Sequence, residues 1–178
     1  MDLNGARGVL GEMKACFAEA NLHIVTENEN LNDTFSTDHL KFRSYLAKDS
    51  KLIEITALVA PEHEIVHVSL KFRVEVTDSV SAEFMELINI MNFCTWGFYW
   101  VKFPAQDSLE CRTTFILPSG KIDREHFRKL VNDLLKCGYE QYGYVRRLTE
   151  HGEELSAVKS EFLREAVIES KRKRNHNE

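Results

Sequence analysis

The chain has 178 residues, of which 43% are apolar and 29% are charged, and its formal net charge is −5. This length fits a single domain, and the apolar fraction excludes a disordered or low-complexity chain. The acidic balance argues against a general nucleic-acid-binding protein, because phosphate affinity depends on clustered lysines and arginines. No apolar run reaches the roughly 20 residues that span a bilayer, and the first residues lack the pattern of a signal peptide.

Four widely spaced cysteines without a Cys-x-x-Cys pair favour reduced thiols over a disulfide framework. We therefore expect a cytoplasmic protein with no membrane segment. The sequence also contains no glycine-rich phosphate-binding motif and no nucleophile elbow, so we expect no cofactor.

The first half of the chain combines one helix with strands. Apolar residues at helical spacing predict a helix near the N-terminus, namely Val9, Leu10, Met13 and Phe17. The period then changes to two over residues 39–46, 52–59 and 66–76. The third of these segments is the clearest, with valines on one side and charged residues on the other, which is typical of a strand with one wet face.

The second half predicts a helix, two strands and another helix. Phe84, Leu87, Ile88 and Met91 form the apolar face of the first helix, and residues 96–103 and 109–117 read as strands. The next helix is predicted to begin after Asp123, and Gly138 either ends it or weakens it. The element order α-β-β-β-α-β-β-α predicts an α+β fold with an antiparallel sheet of about five strands.

A boundary is predicted at His151-Gly152. Residues 1–151 form the single α+β domain, and residues 152–178 form a helical C-terminal extension with a basic end. That end consists of Lys171, Arg172, Lys173 and Arg174, which are interpreted as a solvated helix terminus or as a contact for nucleic acid or another anionic surface.

One motif suggests catalysis. His63-Glu64-Ile65-Val66-His67 matches the His-Glu-x-x-His pattern of zinc hydrolases, in which a helix brings two histidines onto one face. On a strand the same histidines would lie about 13 Å apart, which is too far to share one Zn²⁺. Because the alternation of the following residues favours a strand, we expect no metal site and no enzyme, and a zinc-dependent hydrolase using His63 and His67 remains the alternative.

The segment at 96–103 differs from the other strands because both of its faces are apolar. Trp96, Phe98 and Trp100 point one way, and Tyr99, Val101 and Phe103 point the other way. Helices on one side of a sheet would cover only one of these faces. The other face needs a second subunit, the C-terminal tail or a segment of a partner protein, unless the sheet curls enough for the domain to cover both faces itself. We expect a contact with a partner, with Trp96, Phe98 and Trp100 as the candidate contact residues.

Residues 87–92, in which Asn89 and Asn92 lie three apart, resemble the YbjN family of bacterial sensory transduction regulators. In that family such a helix precedes a β-hairpin and a long amphipathic helix. The element order is also similar to the type III secretion chaperone fold, to which that family is structurally related. The resemblance covers residues 5–150 and implies a helix-flanked sheet, frequently dimeric, that binds protein segments without catalysis.

The sequence as a whole predicts a non-enzymatic, chaperone-like regulatory module. It is expected to form a homodimer and to bind a segment of a partner protein through apolar sheet or helix surface, with backbone pairing at an exposed strand edge as one mode.

Overall fold

A computed structural model describes residues 3–19, 24–28, 40–48, 51–60, 63–95, 97–103 and 107–175. The helices are α1 Leu3–Glu19, α2 Ser81–Cys94, α3 Arg124–Thr149 and α4 Leu155–Asn175. The strands are β1 Ile24–Asn28, β2 Leu40–Lys48, β3 Lys51–Ala60, β4 Ile65–Arg73, β5 Tyr99–Phe103 and β6 Ser108–Ile116. The predicted α+β class with an antiparallel sheet is confirmed.

The sheet has one strand more than the sequence predicted. In the part of the chain that the structure describes, six antiparallel strands lie in the order β1-β2-β3-β4-β6-β5, where about five were expected. The additional strand is β1, which comes before the three predicted strands of the meander. It is five residues long and has only two apolar residues, so it is too short to show a period of two.

Strand β4 lies in the middle of the sheet and has the predicted alternation. Val66, Val68, Leu70 and Phe72 are buried, whereas the residues between them are not. Pairing on both sides, with β3 and with β6, holds this segment extended along its whole length. The valine-rich segment is therefore a strand, as the sequence predicted, although it ends at Arg73 and not at residue 76.

The helices pack on the sheet face that carries these buried residues. Phe127 of α3 meets Phe115 of β6 at 6.1 Å and Phe17 of α1 at 6.3 Å between ring centroids. Asp123 caps α3 as predicted, because its carboxylate accepts a hydrogen bond from the backbone N–H of His126. One continuous hydrophobic core results between the helices and the sheet.

Gly138 does not end α3, which continues to Thr149. A Cβ at this position would lie 2.7 Å from Cδ1 of the buried Leu70, so glycine lets α3 lie this close to the sheet without displacing that side chain. The sequence offered two interpretations of Gly138, and the packing explains why the residue lies inside a helix.

Helix α4 follows α3 after a short link that contains the predicted boundary. Its residues Val158 and Phe162 are buried in the same core as the helices and strands before it. The division of the chain at residue 152 stays a prediction. Within the described residues, no helix is both long enough and apolar enough to cross a membrane.

Candidate protein-binding surfaces

Strand β5 is the aromatic strand of the sequence analysis, and its Trp100 is a core residue. Its side chain is only 3% exposed and lies on the helix-covered face, with its ring 5.7 Å from that of Phe72. The indole Nε1 donates a hydrogen bond of 2.6 Å to Gln141 of α3. Phe98 is half-buried and packs against the core, and Trp96 lies outside the described residues. A contact role for these three residues stays a prediction, and in the folded chain Trp100 offers almost no surface to a partner.

The edge of β5 is partly occupied by a side chain of α2. The amide of Asn92 donates to the backbone carbonyl of Trp100 at 3.0 Å and accepts from its N–H at 2.5 Å. A side-chain amide thus takes the place of a neighbouring strand, so an incoming segment cannot pair with this residue. Asn89, the other asparagine of the pair, is exposed.

Among the described residues, no helix lies on the other face of the sheet, which is called here the open face. On β5 it carries Tyr99, which is 40% exposed, and the half-buried Val101 and Phe103. Arg112 of β6 lies over the Phe103 ring, with its guanidinium carbon 4.9 Å from the centroid, and pairs with Glu110 at 2.9 Å. This arrangement places a cation between an aromatic ring and a carboxylate at the margin of an apolar surface.

Two further features lie on the open face. Ile116 of β6 is 70% exposed and is in register with Ile65 of β4, so the far end of the face also carries apolar side chains. Glu54, Lys71 and Glu110 of three neighbouring strands lie in one register row of alternating charge, and this row ends at Val101 of β5. The open face therefore carries apolar side chains along β5, a charged row that runs from them across the sheet, and an apolar pair at Ile65 and Ile116.

The zinc-hydrolase motif lies at the beginning of β4 and is not helical. Glu64 has a positive φ of 51°, which forms a turn before β4 begins at Ile65. His67 lies on the open face, where its Nδ1 is 3.0 Å from the hydroxyl oxygen of Thr114. In the described parts of the chain, no group of three or more His, Cys, Asp or Glu side chains could hold a metal ion. The motif therefore lacks the helical geometry by which it binds zinc.

The buried thiols do not resemble nucleophiles. Burial raises the pKa of the Cys111 thiol far above its usual value, and the nearby Cys137 raises it further. Because the thiolate is the reactive form, Cys111 is inert at neutral pH.

The second exposed apolar surface belongs to α2 and α4. Phe93 is 89% exposed at the end of α2, and Leu163, Val167 and Ile168 are exposed in the second half of α4. Helix α4 is held along α3 by Arg147, which pairs with Glu153 at 2.7 Å and with Glu161 at 2.9 Å. These ion pairs attach the link before α4 and its first half, and the exposed Leu163, Val167 and Ile168 lie beyond them.

The ring of Tyr144 reinforces the contact between α3 and α4. Its hydroxyl donates to Glu165 at 2.5 Å, and its ring meets Phe162 edge-on. Desolvation and the carboxylate of Glu165 raise the pKa of this phenol, so it stays a hydrogen-bond donor over the whole physiological range. The sequence analysis did not predict this contact, although Tyr144, Phe162 and Glu165 could have indicated it.

Comparison with known proteins supports the fold. No family model and no curated protein matches the chain. The crystal structure of the ExsC–ExsE complex is similar, with a TM-score of 0.51 and 12% sequence identity over 80% of this chain and 96% of that chain. This match confirms the type III secretion chaperone-like fold that the sequence resemblance implied. The closer resemblance to the YbjN family stays a prediction.

Proposed function

We propose that this protein is a non-enzymatic, chaperone-like module that binds a segment of a partner protein on the open face of its sheet. The observation that carries the proposal is the exposed apolar surface of a sheet whose other face is already covered by helices. Neighbouring apolar side chains that a folded domain leaves at its surface, here Tyr99, Val101 and Phe103, typically mark an interaction site. The similar structure is itself a complex of two proteins, which supports a protein partner.

The chemistry of the open face favours an amphipathic segment as the ligand. Tyr99, Val101 and Phe103 would contact its apolar side chains, because aromatic residues provide large contact area at low entropic cost. The charged row of Glu54, Lys71 and Glu110, which ends at Val101, would orient the segment through its polar residues. Pairing of the segment with the edge of β5 at Trp100 would require Asn92 to leave.

We further propose that the protein acts in the cytoplasm as a homodimer and regulates its partner by binding alone. The four free cysteines and the absence of a membrane-spanning pattern in the sequence support the cytoplasmic location. The type III secretion chaperone-like fold supports binding rather than catalysis.

Co-purification with variants on each surface tests the binding face. Tagged wild-type protein is compared with a Tyr99→Ser, Ile116→Ser double variant, and the bound proteins are identified by mass spectrometry. A specific partner should be retained by the wild type and reduced about tenfold or more by the double variant, since apolar anchors dominate such interfaces.

Phe93→Ser is the matched control, because Phe93 is also an exposed apolar residue but belongs to the helical layer and not to the open face. The purified partner should bind this variant and the wild type equally well in a titration. Loss of the partner on Phe93→Ser, with full binding by the double variant, would place the site on the helices and reject the open face.

A further inference from the structure

The apolar attachment of α4 rests on two side chains. Among residues 155–169, whose side chains the structure describes, only Val158 and Phe162 are buried. They lie four apart and therefore on one face of the helix, and the ring of Phe162 meets that of Tyr144 in α3 edge-on at 5.4 Å. From Leu163 to Glu169, Ala166 is half-buried and the other side chains are exposed. The first half of α4 thus carries the apolar contact with the rest of the protein.

Two ion pairs attach the same half of α4 to its neighbours. Lys159 pairs with Glu86 of α2 at 2.7 Å, and Glu161 pairs with Arg147 of α3 at 2.9 Å. The four side chains are between 27% and 51% exposed, so water and dissolved salt screen both pairs. Ion pairs with this exposure contribute little to stability, and they orient α4 more than they hold it.

These contacts define the surface against which α4 lies. Helix α4 runs antiparallel to α3, because Arg147 contacts Glu161 whereas the earlier Tyr144 contacts the later Glu165. It also contacts α2, through Glu86. We call Glu86 of α2 together with Tyr144 and Arg147 of α3 the α4 seat.

The link between α3 and α4 contains a suitable hinge. Helix α3 ends at Thr149 and α4 begins at Leu155, and Gly152 lies between them with a φ of 65°. Glycine adopts this left-handed conformation and the right-handed one about equally well, and a Cβ at this position would meet no atom within 4 Å. Rotation at Gly152 would therefore move α4 away from its seat while α3 stays in place.

We infer that α4 is a displaceable occupant of its seat and gives way there to an amphipathic helix of a partner protein. A terminal helix with two buried anchors opens locally at a lower free energy than the whole fold. The chemistry of the seat defines the helix that replaces α4. It carries two apolar residues four apart, in place of Val158 and Phe162, and carboxylates in place of Glu161 and Glu165.

This site goes beyond the proposed function, because the seat belongs to the helical layer and not to the open face of the sheet. While α4 occupies the seat, the apparent affinity for a partner helix is reduced to the fraction of chains in which α4 has left. Helix α4 thus acts as an autoinhibitory segment, and a partner helix binds only by competing with it.

Hydrogen exchange of the wild-type full chain tests whether α4 opens by itself. The backbone amides of residues 159–165 should exchange at least about 100-fold faster than those of β4 in the middle of the sheet, because local opening exposes only α4. The amides of α3 beside the seat should exchange as slowly as those of β4. Equal exchange of α4 and β4 would mean that α4 opens only when the whole protein unfolds, and it would overturn the inference.

A fluorescent peptide with the sequence of residues 155–175 serves as the probe for the partner helix, and its anisotropy measures binding to the full chain. Phe162→Ala in the protein removes one anchor of its own α4 and should tighten peptide binding about tenfold or more, because more seats are open. Ile168→Ala is the matched control, since Ile168 is an exposed apolar residue of the same helix, and it should bind the peptide like the wild type. A peptide that itself carries Phe162→Ala should bind about tenfold more weakly, because it lacks the aromatic anchor.

A charge swap tests whether the peptide occupies the seat. In the Phe162→Ala protein, Arg147→Glu should weaken the peptide about fivefold or more, and a peptide with Glu161→Arg should recover most of this loss. Arg146→Glu is the matched control, because Arg146 is the neighbouring residue and pairs with Glu150 at the end of α3. It should leave peptide binding unchanged. Circular dichroism of every variant checks that the fold is retained.

Each contrary result has a defined meaning. A peptide that binds the Phe162→Ala protein no better than the wild type, or a charge swap without recovery, would overturn the inference. An unfolded Phe162→Ala protein would do the same, because α4 would then be part of the cooperative fold, and exchange in the wild type checks this without a variant. A Phe162→Ala protein that binds no peptide but sediments as a dimer would assign the seat to the α4 of a second copy and reject a separate partner. None of these results bears on the open face, so the proposed function would stand or fall separately.

Discussion

The two faces of the sheet carry side chains of the same strands, yet they have different physical roles. The helix-covered face is aliphatic and aromatic without interruption on β3 and β4, and its residues are almost completely buried. The open face alternates charged, polar and apolar residues, of which Ile116 is 70% exposed. The comparison teaches that apolar character alone does not identify a binding surface, because Trp100 and Tyr99 are neighbours in one strand and only Tyr99 is accessible.

The largest difference between the faces is expected in stability. Phe72→Ala should lower the free energy of unfolding by about 3–5 kcal/mol, because the ring stacks on Tyr142 at 4.2 Å and lies 5.7 Å from Trp100. Ile116→Ala on the open face should change it by less than about 0.5 kcal/mol. Chemical denaturation of both variants measures the contrast, and equal losses would mean that the open face is also part of the core.

A smaller effect is expected where α3 touches the covered face. Gly138→Ala should destabilise the protein by about 1–3 kcal/mol, because the new methyl group would overlap Leu70. Gly143→Ala, in the same helix but with nothing within 4 Å, should instead stabilise it by about 0.5–1 kcal/mol. Thermal melting curves should shift in opposite directions. A stabilised Gly138→Ala variant would show that α3 does not depend on this close approach.

The smallest effect concerns the edge between the two faces. Asn92→Ala removes both hydrogen bonds to the Trp100 backbone and should cost about 1 kcal/mol, since water can reach the freed groups at a strand edge. Asn89→Ala, on the exposed side of α2, should be neutral or slightly stabilising. The Asn92 variant should also scatter more light at high concentration, because an open strand edge promotes association. Unchanged stability and scattering would show that the amide does not protect the edge.

The candidate surfaces were only partly visible in the sequence. The sequence predicted the aromatic strand and its two apolar faces, but which face belongs to the core and which to the surface depends on the side that the helices occupy. The sequence did not indicate that Phe93 is exposed, because the residue directly follows the apolar residues of α2. Only the packing of α2 shows that its side chain points outward. The basic residues at the end of α4 were visible in the sequence. The direction of α4 relative to α2 is known only from the contact of Lys159 with Glu86 and from that of Gln141 with Thr95.

The sequence by itself determined the elements that repeat a local pattern: the alternating strand β4, the amphipathic α3 with its Asp123 cap, and the α+β class. Those features depend on neighbouring residues, and periodicity reports them directly. The tertiary structure alone decided that β1 joins the sheet, that Gly138 lies inside a helix, and that Trp100 is buried while Tyr99 is not. Each of these outcomes is set by contacts between residues far apart in the chain, and no local pattern encodes them.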